Sequence, residues 1–370
     1  MRIATRVLLA LTTALAAACG GDDDGGGGDP DADVGPAFGV TAEREWVWVD
    51  VEGSQCMDGS GTGIGVNLAP DAEGLVFFLE GGGACFNSLS CMGVAHQDGF
   101  DAGSLEDFAG GDGGEGLLDR SDADNPVRDW SYVFVPYCTG DIHAGGTEAG
   151  FGDRTQVGFH NVTRAAELAA AELDGEVSRV LLVGQSAGGF GALYNYEQVS
   201  TIFGDTPVDL LDDSGPPMSN EWLTPCFQEQ IRDVWGLDST IPAGCEECLT
   251  ENDGGFIELA PYMAEKYSDR RVGIISSLTD ETIRQFYAFG YPDCETYQIP
   301  MPMDAYQAGV EDLRDEVLAA TDNARAYTVE GGHHVFTNAA LGDTESGGVT
   351  LADWIAGLLD ADPDWDSVTP

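Results

Sequence analysis

Seven short apolar segments, alternating with helical patterns, constrain the fold more than any other feature of this 370-residue chain. Several of them are continuously apolar rather than alternating, which predicts a sheet buried on both faces. The segments are 46–51, 75–79, 132–135, 180–183, 208–211, 272–276 and 326–329.

The segments between these strands carry apolar residues at helical spacing, as crossover helices of a parallel sheet do. Residues 98–129 and 236–256 predict insertions over the sheet, because both are long stretches with little apolar patterning. The expected fold is therefore one α/β domain over residues 41–370. The predicted helices are 162–173, 187–196, 221–235, 282–289, 305–320 and 351–359.

The first 40 residues predict export. Residues 1–19 combine two arginines, an apolar stretch and three alanines before Cys19, which is typical of a lipoprotein signal with Cys19 as the lipidation site. Plain secretion and a retained apolar anchor are the alternatives. Residues 20–40, rich in Gly and Asp at their start, predict a flexible tether.

The charge of the chain excludes two classes of partner. The chain has 15 Lys and Arg against 65 Asp and Glu, a formal net charge of −50. A surface this acidic repels nucleic acid and anionic lipid headgroups. We therefore expect no nucleic-acid partner, and membrane association only through a lipid anchor.

The cysteine count predicts disulfides. Nine cysteines leave an even number once Cys19 is set aside, which in an exported protein fits up to four bonds. Cys85 and Cys91 flank a short loop that a bond between them would close. A zinc site at Cys245 and Cys248 is the weaker alternative, since no second such pair and no nearby pair of histidines accompanies it.

A candidate nucleophile follows the strand at 180–183. The chain there reads Gly-Gln-Ser-Ala-Gly over residues 184–188 and continues into a helical pattern. A G-x-S-x-G motif between a strand and a helix is the setting of a nucleophile elbow, in which a sharp turn lifts the serine hydroxyl above the sheet. Ser186 is the predicted nucleophile, and an ordinary serine in a glycine-rich turn is the alternative.

A serine nucleophile requires an imidazole base. The chain has five histidines, and three of them precede Ser186. In α/β-hydrolases the base follows the serine, which leaves His333 and His334 after the last predicted strand. We favour His334, because two glycines and one spacer suit a loop that returns the ring over the elbow. His333 stays open.

The third member of such a triad is a carboxylate between the serine and the histidine in the chain. Asp280 lies just after the strand at 272–276 and is the favoured acid. Asp212 and Asp213 end the preceding strand, a position that other hydrolases use, so they are the alternatives.

A glycine run predicts the oxyanion hole. Gly81, Gly82 and Gly83 follow the strand at 75–79, where hydrolases place backbone N–H donors for the charge of a tetrahedral intermediate. Gly82 and Gly83 are the candidates, together with the N–H of Ala187. A flexible turn without a ligand is the alternative.

Four sequence blocks resemble one family. The chain over about residues 45–345 is similar to the pectinacetylesterase/Notum family of carboxylesterases, and the blocks occur in the family's order. They are LEGGGACFN at 79–87, VFVPYCTGD at 133–141, QSAGGFG at 185–191 and DSG at 213–215.

The resemblance implies an α/β-hydrolase fold, a triad on Ser186, Asp280 and His334, and an oxyanion hole at the three residues named above. It implies no cofactor and no metal. It also implies two disulfides, Cys56 with Cys138 and Cys85 with Cys91. Ala84 departs from the family, which usually has an aromatic residue there that shapes the acyl pocket or its rim.

Members of the family deacylate different esters: some remove acetyl groups from pectin, and the animal relative removes a fatty acyl group from a signalling protein. A protein with a charge of −50 is repelled by polyanionic pectin. The predicted substrate is therefore a neutral or highly esterified acylated glycan, or a small acyl ester. The alternatives are a lipase-like or polyester-cleaving esterase and a non-catalytic surface binding module.

Overall fold

A computed structural model of the protein describes residues 37–250 and 254–370, which contain twelve strands. The predicted signal sequence with Cys19 and nearly all of the predicted tether lie outside the described residues. The strands are β1 (Val47–Gln55), β2 (Gly61–Asn67), β3 (Gly74–Leu79), β4 (Ser131–Val135), β5 (Arg179–Gln185), β6 (Val208–Asp213), β7 (Val272–Ser277), β8 (Pro292–Asp293), β9 (Thr296–Tyr297), β10 (Ala324–Val329), β11 (Glu345–Ser346) and β12 (Val349–Thr350).

Eight of these strands form one sheet in the order β1-β2-β4-β3-β5-β6-β7-β10. In this order, β1 pairs antiparallel with β2, and β2 pairs antiparallel with β4. All the following neighbours, from β4 to β10, pair parallel. The two remaining pairs, β8 with β9 and β11 with β12, are two-residue hairpins.

Eight α-helices surround the sheet in the described part of the chain. They are α1 (Ala102–Ala109), α2 (Gly158–Glu172), α3 (Ala187–Phe203), α4 (Pro225–Trp235), α5 (Leu259–Lys266), α6 (Ile283–Tyr287), α7 (Met303–Asp312) and α8 (Leu351–Leu359).

The sheet is buried on both faces, as its continuous apolar strands require. Alternate residues of β3 point to opposite sides. Leu75 and Phe77 join one apolar cluster with α2, α3 and α5. Val76 and Phe78 join a second cluster with α1 and α8. The prediction of a mostly parallel α/β sheet covered by helices is confirmed.

All seven predicted strands are present, and the differences have local causes. The prediction missed β2, since three of its seven residues are glycine, which has low strand propensity. It also missed α1 and α5. Helix α4 begins at Pro225 rather than at residue 221, because proline is accommodated in the first turn of a helix.

The insertion at 98–129 is more than a loop over the sheet. It contains α1, whose first N–H groups are capped by the side chain of Asp101. Its few apolar side chains, including Leu105, Leu117 and Leu118, are buried in the cluster on the α8 side of the sheet. The insertion therefore forms part of that cover.

Four disulfides join the eight cysteines of the described residues. Cys56 bonds Cys138 and Cys85 bonds Cys91, the pairs implied by the family resemblance. The other two bonds are Cys226–Cys294 and Cys245–Cys248. The bond between Cys245 and Cys248 is incompatible with the zinc alternative, because both sulfur atoms are consumed.

The described residues contain no helix long and apolar enough to cross a membrane. Nor does any group of three or more His, Cys, Asp or Glu within them form a candidate metal site.

The parallel pairing decides where a site can form. The carboxyl ends of β3, β5, β6, β7 and β10 lie along one edge of the sheet, and ligands of open α/β sheets bind outside that edge. Every predicted catalytic residue follows one of these strand ends.

Candidate active site

Ser186 occupies a strained turn between β5 and α3. Its backbone has φ 55° and ψ −117°, a conformation that residues with a side chain rarely adopt. The turn is tight enough that a Cβ on Gly184 would lie 1.9 Å from the carbonyl oxygen of Gly188. The Ser186 N–H donates to the carbonyl of Asp213 at 2.7 Å, which ties the turn to the end of β6.

Asp280 and His334 form a hydrogen-bonded pair. Asp280 follows β7 and is fully buried. Its Oδ1 accepts the N–H groups of Thr282 and Ile283, each at 2.8 Å, which orients the carboxylate. Its Oδ2 lies 2.7 Å from Nδ1 of His334, in the loop after β10. This contact fixes the imidazole with Nε2 available.

The alternatives left open by the sequence are arranged differently. His333 is exposed, and its ring packs against Phe336 at 5.2 Å. The carboxylate of Asp212 accepts the N–H of Gly215, and that of Asp213 accepts hydrogen bonds from residues 214, 336 and 337. Neither of these acids contacts the ring of His334.

Ser186 and His334 line the same cleft. Within residues 37–250 and 254–370 the Ser186 hydroxyl makes no hydrogen bond, and neither does Nε2 of His334. Catalytic hydrogen bonds often close only when substrate is bound. A shared cleft is the placement that proton transfer from the serine to the ring would require.

The glycine loop after β3 offers backbone donors to the same cleft. Gly83 has φ +86°, which glycine adopts without strain. Among the described residues, no acceptor is bonded to the N–H of Gly82, Gly83 or Ala187. Ala187 is the first residue of α3, where N–H groups have no partner within the helix. Three unfilled donors thus lie beside Ser186, as an oxyanion hole requires.

His143, which precedes the serine and was not selected from the sequence, holds this glycine loop in place. Its Nε2 lies 2.8 Å from the carbonyl oxygen of Glu80, directly before the glycines. Burial lowers the pKa of His143 to about 4, so the ring is neutral at pH 7. A neutral ring with its proton on Nε2 donates to that carbonyl. The Glu80 side chain in turn accepts the N–H of Tyr137 at 2.8 Å.

Two cavities of opposite character meet at the serine. The first has a volume of about 60 Å³, and its walls are almost entirely apolar, Phe86, Phe190, Phe227 and Trp235 among them. The second has a volume of about 400 Å³ and is more polar, with Glu80, Glu115, Gln185 and Asn338 in its lining. Gly83, Ser186 and Phe286 line both.

Ser186, His334, Gly82 and Gly83 thus line one cleft. The buried Asp280 contacts the ring of His334, and Ala187 lines the apolar cavity together with Ser186. Apart from position 84, which the family resemblance placed at the acyl pocket, the sequence did not indicate the lining of the apolar cavity, because its side chains come from the glycine loop, α3, α4, α6 and other segments far apart in the chain.

Strand order, elbow and covering helices define an α/β-hydrolase. Residues 45–343, most of the chain, match the pectinacetylesterase family, which agrees with the resemblance seen in the sequence. The chain belongs to the pectinacetylesterase family of carboxylic ester hydrolases.

Curated relatives carry the name palmitoleoyl-protein carboxylesterase. Notum2 of Xenopus laevis is 30% identical over 156 residues, which is 41% of this chain and 31% of the relative. NOTUM of Mus musculus is 30% identical over 152 residues, or 40% of this chain and 29% of the relative. The matched region thus spans about a third of the length of these relatives.

A solved structure supports the fold. The crystal structure of the Wnt deacylase Notum from Drosophila aligns with a TM-score of 0.63 and covers 88% of this chain and 95% of that one. Its sequence identity to this chain is 17%, so this likeness concerns the fold alone.

The buried His143 predicts a pH-dependent stability. Because its folded-state pKa is lowered from 6.5, the unfolded chain binds the proton first as the pH falls. The stability that neutral His143 contributes is complete above about pH 6.5 and is lost toward pH 4, by about 1.4 kcal/mol per pH unit. We expect the free energy of unfolding of the wild type, relative to that of His143→Gln, to fall by about 2 kcal/mol from pH 7 to pH 5.

Urea unfolding at both pH values measures this difference. The control is Leu89→Ala, an exposed substitution that removes no titratable group, and its difference from wild type should not change with pH. If the difference in free energy of unfolding between wild type and His143→Gln were the same at both pH values, the assignment of a buried neutral ring would be contradicted.

Proposed function

We propose that the protein is a serine carboxylesterase that hydrolyses short acyl esters, O-acetyl esters above all, through Ser186, His334 and Asp280. The observation that carries this proposal is the 2.7 Å contact between His334 Nδ1 and the buried Asp280, in the cleft that Ser186 lines. A serine, a base and an orienting acid are the complete set that acyl transfer requires.

In the proposed first step His334 Nε2 takes the proton of Ser186 as Oγ attacks the ester carbonyl. The negative charge that develops on the carbonyl oxygen is stabilised by the N–H groups of Gly82, Gly83 and Ala187. Asp280 stabilises the imidazolium without taking its proton. The imidazolium then protonates the leaving alcohol, and an acyl-enzyme remains.

In the second step water replaces the alcohol. His334 removes a proton from the water as it attacks the acyl-enzyme, and the same N–H groups hold the second oxyanion. Collapse of this intermediate returns the proton to Ser186 and releases the acid.

The apolar cavity supports a short acyl group. About 10–15 Å³ accommodates one water-sized group, so a volume of about 60 Å³ holds only a few. A sixteen-carbon chain needs several times more space. Phe86 forms part of the wall and is packed edge-on against Phe227 at 5.1 Å and Phe289 at 5.2 Å. These contacts hold the Phe86 ring in place as one wall of the cavity.

The second cavity supports a polar, uncharged alcohol. Its residues include two glutamates, Glu80 and Glu115, and no Lys or Arg among the described lining. The amide groups of Gln185 and Asn338 offer partners to sugar hydroxyls. An acetylated neutral glycan fits this lining and the chain's net charge of −50 better than polyanionic pectin does.

The apolar walls also make a lipase-like or polyester-cleaving esterase the second candidate function, and acyl-length preference separates the two. A non-catalytic binding module is less favoured, because the serine, base, acid and oxyanion donors are all present. We further propose that the protein is exported and lipid-anchored through Cys19.

The triad assignment predicts a large loss of activity from each of three substitutions. On p-nitrophenyl acetate, Ser186→Ala and His334→Ala should each lower kcat by about four orders of magnitude or more. Asp280→Asn should lower it by about 10⁴, because the imidazole loses its orientation. His333→Ala is the matched control and should retain wild-type kcat. Equal losses in the two histidine variants would refute the choice of base, and activity in Ser186→Ala would refute the serine mechanism.

The narrow cavity predicts a short-chain optimum that Phe86 sets. Initial rates on p-nitrophenyl esters from acetyl to palmitoyl should be highest for the shortest acyl groups. Phe86→Ala should raise kcat/KM for hexanoate relative to acetate at least about tenfold, because removing the ring deepens the cavity. Phe203→Ala, a similar truncation on the buried end of α3, should keep the wild-type profile. A palmitoyl optimum in the wild type would instead support the lipase-like function.

The acidic cleft predicts discrimination by substrate charge. Acetate release from acetylated xylan should exceed that from acetylated polygalacturonate at low ionic strength by about tenfold or more. The difference should narrow at about 0.5 M NaCl, where charges are screened beyond a few ångströms. Equal rates at low salt would contradict a neutral glycan substrate.

A further inference from the structure

One carboxylate at the end of β6 is bonded to the loop that carries the base. Oδ2 of the buried Asp213 accepts the N–H groups of Phe336 at 2.8 Å and Thr337 at 2.7 Å, and the Thr337 hydroxyl at 2.7 Å. These donors lie two and three residues after His334. The backbone carbonyl of the same Asp213 accepts the N–H of Ser186.

Two neighbouring side chains extend these contacts. Ser214 Oγ donates to Asp213 Oδ1 at 2.9 Å and accepts the N–H of Val335 at 3.1 Å. Gln185, directly before the nucleophile, donates through Nε2 to the Thr337 hydroxyl at 2.9 Å. The turn of the nucleophile and the loop of the base are therefore bonded to the same short segment at the end of β6.

The loop needs such support. Val335, the residue after His334, has φ 67°, which is unfavourable for a β-branched residue. Backbone strain of this kind persists only where surrounding contacts hold it. The bonds from Ser214 and Asp213 hold the N–H groups of three consecutive residues, 335 to 337, immediately after His334.

We propose that Asp213 is a positioning residue for the esterase reaction: it fixes the separation between Ser186 and His334 by binding both of their backbone segments. Asp213 does not touch the substrate or the imidazole. Asp280 orients the ring about its own axis, whereas Asp213 determines how far the loop carrying the ring lies from the serine. The inference rests on the proposed function.

The adjacent residue supplies a matched control. Asp212 is on the same strand and is also fully buried. Its Oδ1 accepts the N–H of Gly215, and its Oδ2 has no partner among the described residues. Asp212 therefore resembles Asp213 in burial and chemistry, but it makes no bond to the loop after His334.

The test compares Asp213→Asn with Asp212→Asn on p-nitrophenyl acetate. An asparagine at 213 has one acceptor oxygen where aspartate has two. If its NH₂ group takes the Oδ2 position, it faces the three donors of residues 336 and 337, and if it takes the Oδ1 position, the Ser214 hydroxyl loses its acceptor. We expect kcat to fall about a hundredfold with KM changed less than about threefold, because acyl and alcohol contacts remain. Asp212→Asn should retain kcat.

A second readout separates positioning from general loosening. The rate at which a p-nitrophenyl phosphonate inactivates the enzyme reports attack by Ser186 assisted by its base, and it should fall in parallel with kcat in Asp213→Asn. Thermal midpoints establish that both asparagine variants are folded at the assay temperature. The proposal would be overturned if Asp213→Asn had the same kcat as Asp212→Asn, or if Asp213→Asn raised KM without lowering kcat.

Milder variants keep the test decisive if Asp213→Asn does not fold. Thr337→Val and Ser214→Ala each remove one hydroxyl from the connection and should lower kcat about three- to tenfold with KM unchanged. Wild-type kcat in both would overturn the proposal. The proposed function fails separately: in that case the wild-type enzyme shows no activity that depends on Ser186.

Discussion

The parallel pairing of β3, β5, β6, β7 and β10 is the constraint on which the rest of the structure depends. Parallel strands end at a common edge, so residues far apart in the chain meet there without long loops reaching across the molecule. Burial of both faces holds the strands in register. The elbow, the glycine loop and the Asp280–His334 pair are all short extensions of this edge.

The sequence predicted the sheet well, because each strand is a local apolar pattern with its own boundaries. The prediction failed where the apolar pattern is weak. The glycines of β2 interrupt that pattern, although this strand pairs with a neighbour on each side. The sequence also predicted too long a helix at α7. The helical spacing continues to residue 320, whereas the α-helix ends at Asp312 and a wider π turn follows. Periodicity alone does not distinguish helices of slightly different pitch.

The candidate site was predictable in proportion to how local its signals are. Ser186 and the glycine loop follow from motif and neighbouring strand, and Asp280 and His334 follow from chain order. The contact of Asp280 with His334 rather than His333 depends on loop geometry. The bonds from Asp213 to residues 336 and 337 join segments more than 120 residues apart. Asp213 begins the DSG block of the family resemblance, but nothing in that block indicates which loop its carboxylate contacts.

The two cavities that meet at Ser186 share only Gly83 and Phe286 besides the serine itself. In the proposed binding mode, with the acyl group in the apolar cavity and the alcohol in the polar one, the two halves of the ester contact largely separate sets of side chains. Substitutions in the lining of one cavity can then change its specificity without changing the residues that line the other. With this arrangement, specificity for the acid and specificity for the alcohol can evolve separately around the same catalytic residues.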